Sequence, residues 1–167
     1  YRVRCLRLMG VHQLFCGEND AAIHTIGRLA SVAAAEMPSA IPEAEAALGF
    51  AELFTGQLSG VRQRLERRRE LDLRDVHDSQ RLRHHVRYLS DRIVNVGNVL
   101  SHTLWLMGSP DAALRMTKET VAYAQQTDHH LSLGNALSWA VLVFYWTGRH
   151  EECAHCAAQL DELASRH

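Results

Sequence analysis

The chain of 167 residues has little proline, little cysteine and almost no lysine. No stretch reaches the roughly 18 apolar residues that a membrane-spanning helix requires. Three prolines leave few interruptions, and alternating β-branched runs of strand type are missing, which excludes a sheet-based fold. Cys5, Cys16, Cys153 and Cys156 are unevenly spaced and sit inside apolar helical patterns. A small secreted scaffold needs denser cysteines, so these read as small thiols of a cytoplasmic protein, with no metal and no other cofactor expected. The 18 basic residues, with Lys118 the one lysine among them, face 19 acidic ones for a net charge of −1. That balance excludes a nucleic-acid binder of the ordinary basic type. Tyr1-Arg2-Val3-Arg4 offers neither a start Met nor a signal-peptide core, so the chain is expected to be a piece of a longer polypeptide. What is present is apolar surface: 47% of residues are hydrophobic and 22% charged, enough for a folded core.

An internal repeat organises that surface. Phe15-Cys16-Gly17, Phe54-Thr55-Gly56, Leu106-Met107-Gly108 and Trp146-Thr147-Gly148 each end an apolar helical run. Five residues after each glycine stands Ala22, Val61, Ala113 or Cys153, and the glycines are 39, 52 and 40 residues apart. The pattern predicts a helix, a left-handed glycine cap, and a second helix packed back on the first at the small residue. Helices are expected near 1–16, 20–36, 43–55, 58–70, 91–107, 110–126, 129–147 and 149–165. Asn19, Ser109 and Asp128 are the expected caps, and Pro42-Glu43 and Pro110-Asp111 suit first turns. The long interval leaves 71–90 as an insertion, with a short extra helix expected around Gln80–Tyr88. The expectation is an all-α fold, an α-solenoid of four antiparallel helix pairs in a right-handed superhelix, with repeats at about 1–38, 42–70, 91–127 and 129–167. With no Gly/Ser linker, the four pairs are expected to form one domain with one continuous core.

Such a hairpin resembles the tetratricopeptide repeat, which carries a Leu-Gly pair midway along its first helix, a turn glycine and a small residue five later. Here the pair reads Met9-Gly10 and Leu48-Gly49, and it has drifted to Leu100-Ser101 and Ala140-Val141. The repeat is longer than usual and lacks the proline that ends the second helix. The stretch from Gly56 to Ala113, through His77-Asp78, Ser90-Asp91-Arg92-Ile93-Val94 and Leu104-Trp105-Leu106-Met107-Gly108-Ser109-Pro110-Asp111, is similar to the C-terminal helical repeats of bacterial predicted-ATPase signalling proteins. In those proteins a winged-helix or nucleotidyl-cyclase domain precedes an ATPase. The resemblance implies an interaction or sensor module of a transcriptional regulator or signal-transduction ATPase. This chain itself carries no phosphate-binding loop.

Counting back from the turn glycines assigns a concave face to the first helix of each pair. Repeat one contributes Arg4, Arg7 and Val11, and repeat two Glu43, Ala46 and Phe50. Repeat three contributes Asn95, Asn98, His102 and Trp105, and repeat four Asn135, Ser138, Leu142 and Tyr145. The count lays Asn95 over Asn135, Asn98 over Ser138 and Trp105 over Tyr145. Amides could hydrogen-bond an extended peptide, a partner protein or another domain of the parent chain, while the rings fill a side-chain pocket. A small-molecule effector near Trp105 and His102 is the neighbouring reading. The competing class is a scaffold whose apolar end helices pair two copies into a homodimer.

Other residue clusters point to less. His150, Cys153, His155 and Cys156 lie on one predicted helix and cannot converge as a zinc tetrahedron. His84-His85 and His129-His130 read as exposed loop or helix-start residues. The ten arginines between Arg62 and Arg92 face six acids. They read as a solvated face with i,i+3 and i,i+4 pairs to Glu66 and Glu70, or as a docking surface. No Gly-x-Ser-x-Gly elbow or His-Glu-x-x-His helix occurs, so no enzyme and no catalytic residue is expected.

Overall fold

In the computed structural model, residues 1–58, 60–74 and 91–166 are described. They form eight α-helices and no strand: α1 Arg2–Phe15, α2 Asn19–Glu36, α3 Ile41–Phe54, α4 Val61–Arg74, α5 Arg92–Leu106, α6 Pro110–Gln125, α7 His130–Trp146 and α8 His150–Arg166. A short 3-10 turn, Pro38–Ala40, joins α2 to α3. The chain divides into two compact units, Tyr1–Arg74 and Asp75–His167. In the first, α1 packs on α2, α2 on α3 and α3 on α4, and α1 also reaches α3. In the second, α5 packs on α6, α6 on α7 and α7 on α8, and α5 reaches α7. Each unit is therefore two stacked antiparallel hairpins, the tetratricopeptide-like arrangement expected of an all-α solenoid.

The turns explain the repeat. Gly17, Gly56, Gly108 and Gly148 have φ of 77°, 74°, 76° and 70°. The same pair of hydrogen bonds surrounds each one. Gly17 N–H donates to Leu14 O at 3.0 Å and Glu18 N–H to Gln13 O at 2.9 Å, and in the last turn Gly148 N–H donates to Tyr145 O at 3.1 Å and Arg149 N–H to Phe144 O at 2.8 Å. This is the Schellman closure, which a residue with a Cβ enters only under strain. Five residues on, Ala22, Val61 and Ala113 are fully buried where the second helix crosses back, while Cys153 is half-buried with its thiol 3.7 Å from Val141 O. Midway along α1 and α3 the glycines are filled by the partner helix. A Cβ on Gly10 would lie 2.5 Å from Ile26 Cγ1, and one on Gly49 2.8 Å from Leu65 Cδ2.

Some start signals act differently from their sequence reading. Helix α2 begins at Asn19 itself, with Glu18 as the preceding cap residue, because Glu18 already closes the Gly17 turn. Ser109 stands at the N-cap of α6 without a side-chain cap bond, ahead of Pro110 and Asp111 in the first turn. Asp128 takes φ 49°, a left-handed turn that Asp tolerates, and His129 caps α7 instead. Helix α4 runs on to Arg74, taking 71–74 from the expected insertion. The short helix expected around Gln80–Tyr88, and with it His77, Asp78, His84 and His85, lies outside the described residues.

The two units are cored differently. In the first, α3 is built of small residues, and Ala44, Ala47 and Ala51 join Leu6, Leu14, Ile26 and Leu29 in one cluster. In the second, α5 is buried nearly all round, from Ile93 and Val94 to Thr103 and Leu104. That central position fixes what its polar side chains can reach.

Candidate binding face

Asp91 sets the register of the second unit. Its Oδ1 accepts from Ile93 N–H at 2.7 Å and caps α5, its own N–H donates to Ser132 Oγ at 2.8 Å, and Tyr123 OH donates to its Oδ2 at 3.2 Å. The starts of α5 and α7 and the end of α6 are thereby tied at one point. Ser132 Oγ also lies 2.8 Å from His129 Nδ1, which accepts the Ser132 N–H at 3.3 Å. With both helices pinned at that end, Asn95 meets Asn135 one turn further along, and Asn135 Nδ2 donates to Asn95 Oδ1 at 2.8 Å.

From there a polar line follows α5. Asn98 Nδ2 donates to Asn135 O at 3.4 Å, and His102 Nδ1 lies 3.1 Å from Asn98 O. A carbonyl only accepts, so His102 carries its proton on Nδ1 and presents Nε2 as a bare acceptor. That Nε2 is buried and has no hydrogen-bond partner. Two indoles meet the imidazole at steep angles, Trp139 at 4.5 Å and 73° and Trp146 at 5.1 Å and 74° between ring centroids and planes. Burial holds the ring neutral and lowers its pKa from 6.5 to about 4, against the opposing bond to Asn98. Trp105 stacks on Trp146 at 5.6 Å and 19°. Around this half-buried stack, Leu106, Leu142 and Tyr145 remain 56%, 46% and 62% exposed.

Most of the face expected from the glycine count is thus brought together, with its parts redistributed. Asn95 does sit over Asn135. Asn98 does not sit over Ser138: it bonds Asn135 O, and the Ser138 hydroxyl turns back to Gly134 O at 2.8 Å and Asn135 O at 3.0 Å. Trp105 lies on Trp146 rather than on Tyr145, whose ring faces His150 at 6.2 Å. The reason is rotational. Asn135, Trp139, Leu142 and Trp146 follow one stripe of α7, and Tyr145 stands one residue, about 100°, off it. Asn98 and His102 are buried, so they support the face from beneath instead of lining it. Arg4 and Arg7 belong to the first unit. Arg4 is exposed, but Arg7 is engaged with the buried Glu43 carboxylate in an ion pair between α1 and α3 and is not a free groove residue. Trp139 and Trp146 were missed because each counts as an apolar helix residue, with nothing local to mark it as part of a ring cluster. The Asp91–Ser132 tie was missed because its partners are 41 residues apart.

Elsewhere the chemistry is sparse. Among the described residues no three His, Cys, Asp or Glu side chains form a group able to hold a metal ion, and no helix is long and apolar enough to cross a membrane. Cys156 is buried and its thiol pKa is raised by burial, then by Cys153 and Glu152, while His155 is exposed.

No protein-family model matches the chain, and no curated protein matches it. Two solved structures of a Podosopora anserina kinesin light chain protein with nearly identical TPR-like repeats, one of them a point variant, do align with it. They cover 99% of this chain and 95% and 96% of their own, at 13% and 14% identity and a TM-score of 0.43. Likeness of that degree carries no weight for function. The hairpin-repeat class rests on the chain's own turns and helix pairs.

Proposed function

We propose that this chain is a protein-interaction module that binds an extended segment of a partner protein across α5 and α7, with no catalytic role. One observation carries the reading: Leu106, Leu142 and Tyr145 remain exposed around the Trp105–Trp146 stack, beside the Asn95–Asn135 amide pair. Apolar and aromatic anchors next to amides on a rigid support suit a peptide, whose side chains seek pockets while its backbone seeks donors and acceptors. The resemblance over Gly56–Ala113 supports a finer version, in which residues 1–167 form one repeat domain serving as sensor or interaction part of a bacterial cytoplasmic transcriptional regulator or signal-transduction ATPase. Partner binding there would bias the array and so the attached effector.

The test is peptide display against the 1–167 chain, followed by the double variant Leu142→Ser/Tyr145→Ser. Both side chains are exposed, so folding is preserved. Selected peptides should lose about tenfold or more in affinity. Unchanged binding by the variant would sink the proposal.

Homodimerisation is the second reading. Its favouring observation is on α1, where Leu8 and Met9 are 53% and 44% exposed; α8 offers no comparable large apolar side chain. A concentration-dependent mass abolished by Leu8→Lys/Met9→Lys, with peptide binding intact, would establish it.

A further inference from the structure

Helix α4 reads Val-Arg-Gln-Arg-Leu-Glu-Arg-Arg-Arg-Glu-Leu-Asp-Leu-Arg, and the expectation of a solvated arginine face holds for only part of it. Val61 and Leu65 are fully buried beneath α3 and draw the flanking guanidinium groups inward. Arg62 pairs within the helix with Glu66 at 2.9 Å, as expected of a solvated face. Arg64 instead crosses to Glu52 of α3, and Arg68 reaches Glu45 at 3.3 Å and Asp72 at 2.9 Å. Burial raises the Glu52 pKa, with Arg64 acting against that rise.

Between α3 and α4 these side chains enclose a cleft of about 400 Å³ lined by Glu45, Gly60, Gln63, Arg64, Arg67 and Arg68, with Leu71 at its edge. Its donors outnumber the acceptors within it. Arg64 and Arg68 spend their terminal nitrogens on carboxylates, yet the Nε–H of each is buried and meets no acceptor. Arg67 is exposed and, among the described residues, forms no ion pair or hydrogen bond. Among the described residues that line it, Glu45 is the one carboxylate, and the first turn of α4 carries no acidic residue. Guanidinium groups held beside a helix start favour a compact, doubly charged oxyanion over a single carboxylate.

We infer that the α3–α4 cleft of the first unit is a binding site for a small phosphorylated ligand, its phosphoryl oxygens taken by the exposed Arg67 guanidinium, with the Arg64 and Arg68 side chains forming the wall beside it. A volume of this size accommodates a small organic molecule as well as the phosphoryl group. The site lies in the other unit from the peptide face, so each stands or falls by its own experiment.

The experiment is isothermal titration of the 1–167 chain with inorganic phosphate, phosphoserine and, as control, acetate. Saturable binding of both phosphates with acetate weaker by about tenfold or more is expected. Arg67→Gln should weaken phosphoserine by about tenfold without altering the melting temperature, because Arg67 is exposed and unpaired. Gln63→Glu, which places a carboxylate in the cleft, should weaken it similarly. Acetate binding as well as phosphate, or indifference to both substitutions, overturns the site. Inorganic phosphate binding as tightly as phosphoserine overturns the organic part of the assignment. A phosphoserine peptide binding more tightly than phosphoserine itself replaces the small ligand with a protein-borne phosphate.

Discussion

The two units solve one problem with different chemistry. Each must hold the first helix of one hairpin against the first helix of the next. In the first unit that joint carries a charged pair beside its apolar contacts: Arg7 of α1 pairs with Glu43 of α3, whose side chain is 3% exposed. In the second, past the Asp91 tie at one end, the line between the helices is neutral, made of the Asn95–Asn135 amide pair, the Asn98 bond and His102 between two indoles. A buried ion pair is cohesive only while both partners remain, whereas amides and a neutral imidazole hold their geometry without charge. The same scaffold therefore carries one joint sensitive to loss of a partner and one sensitive to acid.

Removing a partner from the charged joint should give the largest effect. Glu43→Ala leaves the Arg7 guanidinium half-buried without its carboxylate, and a loss of about 3–5 kcal/mol is expected in urea unfolding. The double variant Arg7→Met/Glu43→Leu should recover most of it. Equal destabilisation by the double variant would show that the pair is not the joint.

Acid should act on the neutral joint. His102 has a folded pKa of about 4 against 6.5 for the unperturbed group, so the unfolded chain binds the proton first. The stability tied to the neutral ring is complete above pH 6.5 and is lost as pH falls towards 4, by up to roughly 3 kcal/mol. His102→Leu should remove that slope from the pH dependence of the urea midpoint. A variant as acid-sensitive as the parent would place the sensitivity elsewhere.

The smallest effects compare one substitution at two glycines. A Cβ on Gly97 of α5 would lie 2.2 Å from Thr120 Oγ1, a contact that neither helix can relieve without moving. Gly97→Ala should cost about 1–3 kcal/mol. Gly27 of α2 is exposed, with nothing within 4 Å of the added carbon. There Gly27→Ala should stabilise by about 0.5–1 kcal/mol through helix propensity alone. Matching signs in thermal melts would contradict the packing difference between the two positions.

Much of the hairpin plan was legible because its signals are local. A turn glycine, the apolar residue two before it and the small residue five after it all act within one helical turn of the cap. Each helix consequently begins and ends within a few residues of its sequence reading. The proposed binding face was legible only in outline. Counting from the glycines found Asn95 and Asn135, yet chose Tyr145 over Trp146 and gave Arg7 to a groove where it is an ion-pair partner. A miscount of one residue turns a helical side chain by about 100°, enough to move it from one face to the next.

Sequence alone determined that this chain forms glycine-capped helical hairpins, since chain stiffness, cap geometry and apolar periodicity are short-range properties. Tertiary structure decided which polar residues became structural and which stayed exposed. Glu43, Asn98 and His102 are polar by composition and buried by position, because neighbouring helices supplied Arg7, the Asn135 carbonyl and two indoles. Leu142 and Tyr145 are apolar or aromatic and exposed, because no described element of their unit covers them. Burial is a property of what packs against a residue, and that partner lies 36–44 positions away in each joint.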